Sequence, residues 1–268
     1  MASNSSKQVP MKRRNTQEKS SFRERGALEG QIALVTGASS GIGRAIALDF
    51  AGCGAEVCLV ARRLEALQEV RKEVVNREGG QAHVQCADLT QDNEVGELCA
   101  AIQARFSHLD ILVLCAGVIF HATTEQATLE QLDLQYRSNV RGHYAMIQAL
   151  LPLLRRQRGQ IVFVNSSMAT RQSRGGVGQF VATQYALRAM ADSLRDEVNA
   201  DGIRVLSIYP GRTATPRMPS LFKKEGRPYR PELLMQPEDV ATMITHSLCM
   251  PRTAEVTDIS MRSMTKCY

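Results

Sequence analysis

Gln31-Ile32-Ala33-Leu34-Val35-Thr36-Gly37-Ala38-Ser39-Ser40-Gly41-Ile42-Gly43 is the stretch on which the reading of the whole chain turns. Ile32 to Val35 is a short apolar run of the kind a buried strand carries. Thr36-Gly37 opens a glycine-rich turn, and Arg44-Ala45-Ile46-Ala47-Leu48-Asp49-Phe50 continues with helical spacing. Glycines at 37, 41 and 43 let the backbone pass close to a bulky anion. The open N–H groups and positive dipole end of the following helix then favour a pyrophosphate. The spacing is Gly-x-x-x-Gly-x-Gly, which differs from the common Gly-x-Gly-x-x-Gly of dinucleotide folds. Taken alone, such a turn is weak evidence, a tight loop without a ligand being the lesser alternative.

Outward from that stretch, short apolar runs alternate with segments of helical period. Strands are expected at 55–60, to about Cys86, at 110–115, 160–165 and 203–209, and near 255–260. Helices are expected at 63–78, 91–106, 129–157 (one or two) and 178–200. Leu64, Leu67, Val70 and Val74 form the buried face of the second helix. Strand and helix alternating in this way predict an α/β fold, a doubly wound parallel sheet with helices on both faces.

The 268 residues suit one large domain, and 44% hydrophobic with 22% charged residues is ordinary for a globular protein. No apolar stretch reaches the ~18–20 residues of a membrane helix, so no membrane association is expected. The seven cysteines form no Cys-x-x-Cys pair. They read as unpaired thiols of a reducing, cytoplasmic compartment, with no metal site. The net charge of +6 is concentrated in residues 1–28, where seven basic residues stand against Glu18 and Glu24. That segment reads as a disordered basic tail, with an organelle-targeting role the lesser alternative. The remainder, at about +1, argues against a nucleic-acid partner for the domain at 29–268.

The string Thr36-Gly37-Ala38-Ser39-Ser40-Gly41-Ile42-Gly43 resembles the cofactor fingerprint of the short-chain dehydrogenase/reductase family. Further landmarks follow in order over roughly residues 30–260. The resemblance implies an NAD(P)-dependent oxidoreductase moving hydride between nicotinamide and a small alcohol or ketone. Gly37, Ser39, Ser40, Gly41, Ile42 and Gly43 would line the cofactor. Arg62, after the second strand, stands where NADP-selective folds place an arginine and NAD-selective ones an acid. NADP (NADPH) is therefore expected over NAD, although Arg62 and Arg63 could also simply begin a solvated helix. Asp88 and Leu89 would contact the adenine, Asp88 being equally a helix cap. Cys115-Ala116-Gly117 stands at the family's Asn-Ala-Gly, with Ala116 and Gly117 beside the cofactor. Pro210-Gly211-Arg212-Thr213 resembles the nicotinamide-carboxamide loop, Thr213 being the contact. A substrate lid would follow within about 211–236; its Arg217, Lys223, Lys224, Arg227 and Arg230 suit an anionic ligand or plain solvation.

The active-site pattern is altered. Asn139 falls at the family's catalytic asparagine and Ser167 at its serine. Thirteen residues beyond Ser167, where the resemblance calls for tyrosine, stands Phe180; where it calls for lysine, four further on, stands Gln184. Shifting the match to Tyr185 would require Ser at 172 and Lys at 189, which are Gln172 and Ala189. The tyrosine would exchange the proton at the substrate oxygen, its pKa of about 10 lowered by the ammonium. Phe180 holds no such proton. Gln184 could still hydrogen-bond the nicotinamide ribose. Impaired redox chemistry is expected, with a catalytically silent nucleotide sensor or partner subunit, or non-redox chemistry at Ser167, as alternatives. His121 is a candidate substitute acid. By the resemblance, the helices at 129–157 and 178–200, with Val181, Met190, Leu194 and Val198, would build a homodimer or homotetramer.

Overall fold

The computed structural model describes residues 26–77, 79–170 and 175–265. Residues 1–25, most of the expected tail, lie outside the described residues. Leu28, grouped with that tail from sequence, is buried, and its N–H donates to the Cys53 carbonyl at 2.9 Å.

Seven parallel strands form one sheet in the order β3-β2-β1-β4-β5-β6-β7. They are β1 (Ile32–Thr36), β2 (Glu56–Ala61), β3 (Gln81–Cys86), β4 (Ile111–Leu114), β5 (Gln160–Val164), β6 (Arg204–Pro210) and β7 (Asp258–Met261). The apolar runs become strands because both sheet faces are covered: Ala33, Leu34 and Val35 have no exposure, nor do Ile111, Leu112 and Val113. One core lies under α1 (Gly41–Gly52), α2 (Leu64–Val75) and α8 (Pro237–Leu248). The opposite core lies under α3 (Asp92–Arg105), α5 (Gly142–Arg156) and α6 (Gly178–Val198). The chain reverses its direction of winding between β1 and β4. In open α/β sheets the ligand crevice opens at that point, outside the carboxyl ends of the strands.

Three expectations are refined. Leu64 opens α2 but is exposed, while Leu67, Val70 and Val74 carry the buried face. The segment 129–157 is α4 (Leu129–Tyr136), a π-helical turn (Arg137–Arg141) and α5, running without a break. Val181, Leu194 and Val198 of α6 are buried within this same chain, and Met190 packs partly against that core. The lid region contains α7 (Met218–Lys224) and a short 3₁₀ turn at Pro231–Leu233. No helix among the described residues is long and apolar enough to cross a membrane.

Candidate functional site

The crevice is built from two turns held face to face. Thr36, wholly buried at the end of β1, donates to the Val113 carbonyl and accepts from the N–H groups of Cys115 and Ala116 at 2.9 and 3.0 Å. This one hydroxyl ties the glycine turn to the Cys115-Ala116-Gly117 turn. Gly37 (φ +68°) leaves no room for a side chain: a Cβ there would lie 3.0 Å from the Ala116 Cα. At Gly43 a Cβ would lie 2.4 Å from the Gly37 carbonyl oxygen. The α1 N-terminus has no side-chain cap, so its first N–H groups are left to a ligand.

A cleft of about 580 Å³ opens above these turns, a size suited to a cofactor-scale ligand. Of the residues expected at the site, Gly37, Ser39, Ser40, Gly41, Ile42, Gly43, Arg62, Asp88, Leu89, Ala116, Gly117, Asn139, Phe180 and Gln184 all line it. At one end the Arg62 guanidinium stands 3.9 Å from the Asp88 carboxylate. Asp88 also accepts from the Thr90 N–H at 3.0 Å, closing a turn ahead of α3; the expected helix-cap role is not taken up, since the N-cap of α3 is Gln91.

At the other end, Asn139 sits within the π-helical turn, a distortion frequent at functional sites. Its amide clamps the Val118 backbone, accepting from the N–H at 2.8 Å and donating to the carbonyl at 2.9 Å. It also donates to the Thr183 hydroxyl at 3.1 Å. The side chain is thus committed to holding the 116–118 turn. Phe180 and Gln184, one turn apart on α6, face the cleft together. Gln184 is buried, and its amide donates to Thr183 Oγ1 at 3.3 Å. Val118, Ile119, Phe120 and Leu134 add an apolar component to the lining. Burial pushes the Cys115 thiol up to about 12 against the opposing pull of Arg217, so the thiol stays neutral in the cleft.

Four expected residues are absent from the lining: Ser167, Pro210, Gly211 and Thr213. Ser167 begins a 3₁₀ turn immediately before residues 171–174, which lie outside the described residues. Pro210 ends β6, and the Gly211 N–H donates to Met261. Thr213 bridges to Met235 and turns its hydroxyl onto the Gly211 carbonyl at 3.1 Å. The segment 212–214 pairs with Met235, which buries Thr213 and delivers Thr215 to the cleft in its place. Pro216 and Asn165 also line the cleft and went unmarked by the sequence pattern, whereas Arg217, expected in the lid as a contact for an anion or a solvated charge, is brought into the lining. His121 is exposed, lies outside the lining, and is held below its ordinary value by burial and by Lys224. It stands among the lid charges Lys224, Glu225 and Arg212.

A family model described as short chain dehydrogenase matches residues 31–226. The chain belongs to the short-chain dehydrogenase family. Over 241 residues it is 34% identical to the glycine betaine reductase of Emericella nidulans, covering 88% of this chain and 19% of that longer protein. It is 30% identical to an uncharacterized oxidoreductase of Staphylococcus epidermidis, covering 87% of this chain and 96% of the relative. Among solved structures, the L-sorbose reductase of Gluconobacter frateurii, complexed with NADPH and L-sorbose, superposes with a TM-score of 0.81. That match has 27% identity and covers 90% of this chain and 98% of the reductase. Within the family's frame, the two turns and α6 form the walls of one crevice.

Proposed function

We propose that this short-chain dehydrogenase binds NADP(H) and that its hydride chemistry on small alcohols and carbonyls is impaired. The observation that carries the reading is the pairing of an intact nucleotide cradle with Phe180 and Gln184 on its reactive wall. The cradle fits a dinucleotide: Gly37 and Gly43 have no space for a Cβ, and the α1 N–H groups are uncapped. Arg62 at the end of β2 suits a 2′-phosphate, and Ala61 offers no carboxylate for a ribose hydroxyl. The bound nicotinamide supplies or accepts the hydride. The chain's own part is to orient it, to exclude water through the apolar part of the lining, and to move a proton at the substrate oxygen. The last task has no obvious performer, since Phe180 has no exchangeable proton and Gln184 no charge.

The second reading, a catalytically silent nucleotide-binding sensor or partner subunit, draws on the same two residues. Calorimetry with NADPH and NADH, beside NADPH oxidation across a panel of carbonyls, separates the readings. Tighter NADPH binding with slow turnover supports the first, and tight binding without turnover supports the second. Equal affinities for the two cofactors would overturn the NADP assignment. The site, partner and location readings go together: a small-molecule carbonyl or alcohol in the cleft, a homo-oligomer, and a cytoplasmic protein.

A further inference from the structure

Three cationic side chains line the cleft among the described residues. Arg62 and Arg63 belong to the β2 end; Arg217 comes from the opposite wall, on the loop between β6 and α7. That loop lies across the mouth of the crevice. The Thr215 methyl sits 3.1 Å from where a Cβ on Gly41 would be, and Pro216 Cδ is 3.9 Å from the same point. Two residues on, Arg217 reaches the other turn, where its Nη1 donates to the Gly117 carbonyl at a long 3.4 Å. The loop therefore spans from the glycine turn to the Cys-Ala-Gly turn, with a guanidinium at its far end.

Of the other lid arginines, Arg227 and Arg230 lie outside the lining, and Arg212 is already engaged, forming a bidentate pair with Glu225 and stacking over Phe222. Arg44, next to the glycine turn, is similarly held by Glu73. Arg217 is exposed and has no carboxylate partner among the described residues, only the one weak bond to a carbonyl. A guanidinium so placed exchanges that bond readily for an anion, because a charge-assisted bidentate contact is about twice as strong as a neutral one. The Arg217 charge also acts on the Cys115 thiol, another residue of the lining.

We propose that Arg217 is a positioning residue that closes the lid onto the pyrophosphate of the dinucleotide, supplying a cation on a wall where Gln184 carries none. The proposal rests on the dinucleotide reading above. The pyrophosphate is common to NADPH and NADH, so Arg217 acts on both, whereas Arg62 acts only where there is a 2′-phosphate.

The test uses the full chain, with calorimetric affinities for NADPH, NADH and adenosine 2′-monophosphate, which lacks the pyrophosphate. Arg217→Gln is expected to weaken NADPH and NADH by the same factor, about tenfold, the scale of one charge-assisted contact. It leaves adenosine 2′-monophosphate unchanged, and Arg217→Lys recovers part of the loss. Arg62→Ala gives the complementary pattern, weakening NADPH and adenosine 2′-monophosphate but not NADH. NADPH is also expected to protect the parent from trypsin at Lys223 and Lys224, and to protect Arg217→Gln much less. Parent-like affinity of Arg217→Gln for both dinucleotides, with parent-like protection, would overturn the proposal and leave the dinucleotide reading standing. Equal weakening of all three ligands would also overturn it, since the variant would then have disturbed the cleft itself. If the parent binds none of the three, the dinucleotide reading falls and this proposal falls with it.

Discussion

Phe180 differs from tyrosine by one oxygen, and Gln184 differs from lysine by a charge and a reach. Both line the cleft. Restoring both, Phe180→Tyr with Gln184→Lys, is expected to raise NADPH-dependent carbonyl reduction by roughly 10²-fold or more. Phe180→Tyr alone gives less, because a phenol with its ordinary pKa of about 10 is a weak proton donor without the ammonium that would lower it. Fast turnover by the parent, indifferent to either change, would mean that another group carries the proton. A second single-residue effect concerns His143 on α5, which is buried with no well-formed hydrogen bond to either ring nitrogen, the Asn139 backbone giving only a partial offset to its desolvation. Burial pushes it down from 6.5 to about 4. Between those values the unfolded chain binds a proton that the folded chain refuses. Stability is therefore full above pH 6.5 and falls as the pH drops toward 4. His143→Leu is expected to flatten that part of the Tm–pH profile, and an unchanged slope would rule the residue out as its source.

At the scale of elements, the π-helical turn between α4 and α5 sets Asn139 against the loop after β4. Its amide satisfies both backbone groups of Val118 and ties them to Thr183 on α6. Three elements are thereby fixed around the reactive end of the cleft by one side chain. Asn139→Ala strands a donor and an acceptor at that junction, a loss of about 1–3 kcal/mol. Thermal or urea unfolding should show it. Nucleotide affinity should fall as well, because Gly117 and Val118 line the cleft. Asn139→Asp keeps the acceptor but loses the donor, and is expected to fall between the two. A variant as stable as the parent would show that water replaces the clamp.

For the molecule as a whole, the question is which apolar surface remains once the two cores are formed. Val181, Leu194 and Val198 are consumed inside the chain, so they cannot build an interface. Tyr136 on α4, Tyr144 on α5 and Tyr185 on α6 instead remain exposed, at 51%, 56% and 47%. Tyrosines of this kind are enriched in protein interfaces. Light scattering at micromolar concentration is expected to show a homodimer or homotetramer, and Tyr144→Glu with Tyr185→Glu to shift it toward monomer. A monomeric parent would reject the assembly.

Element order and sheet class were legible in the residues because burial on both faces of a parallel sheet demands continuous apolar runs such as Ile111 to Leu114. Amphipathic helices likewise leave a 3.6-residue period. The glycine cradle was legible because only glycine fits positions 37 and 43, and Phe180 and Gln184 because their spacing on one helix needs no tertiary knowledge. Other features depended on partners far along the chain. Thr215 faces the cleft and Thr213 does not, because residues 212–214 pair with Met235. Asn139 is a clamp because Val118, 21 residues earlier, lies beside it. Arg217 reaches the crevice because its loop crosses to Gly117, 100 residues away. Local pattern determines which side chains are buried; which of them share a cleft depends on how distant turns are brought together, and only the tertiary structure decides that.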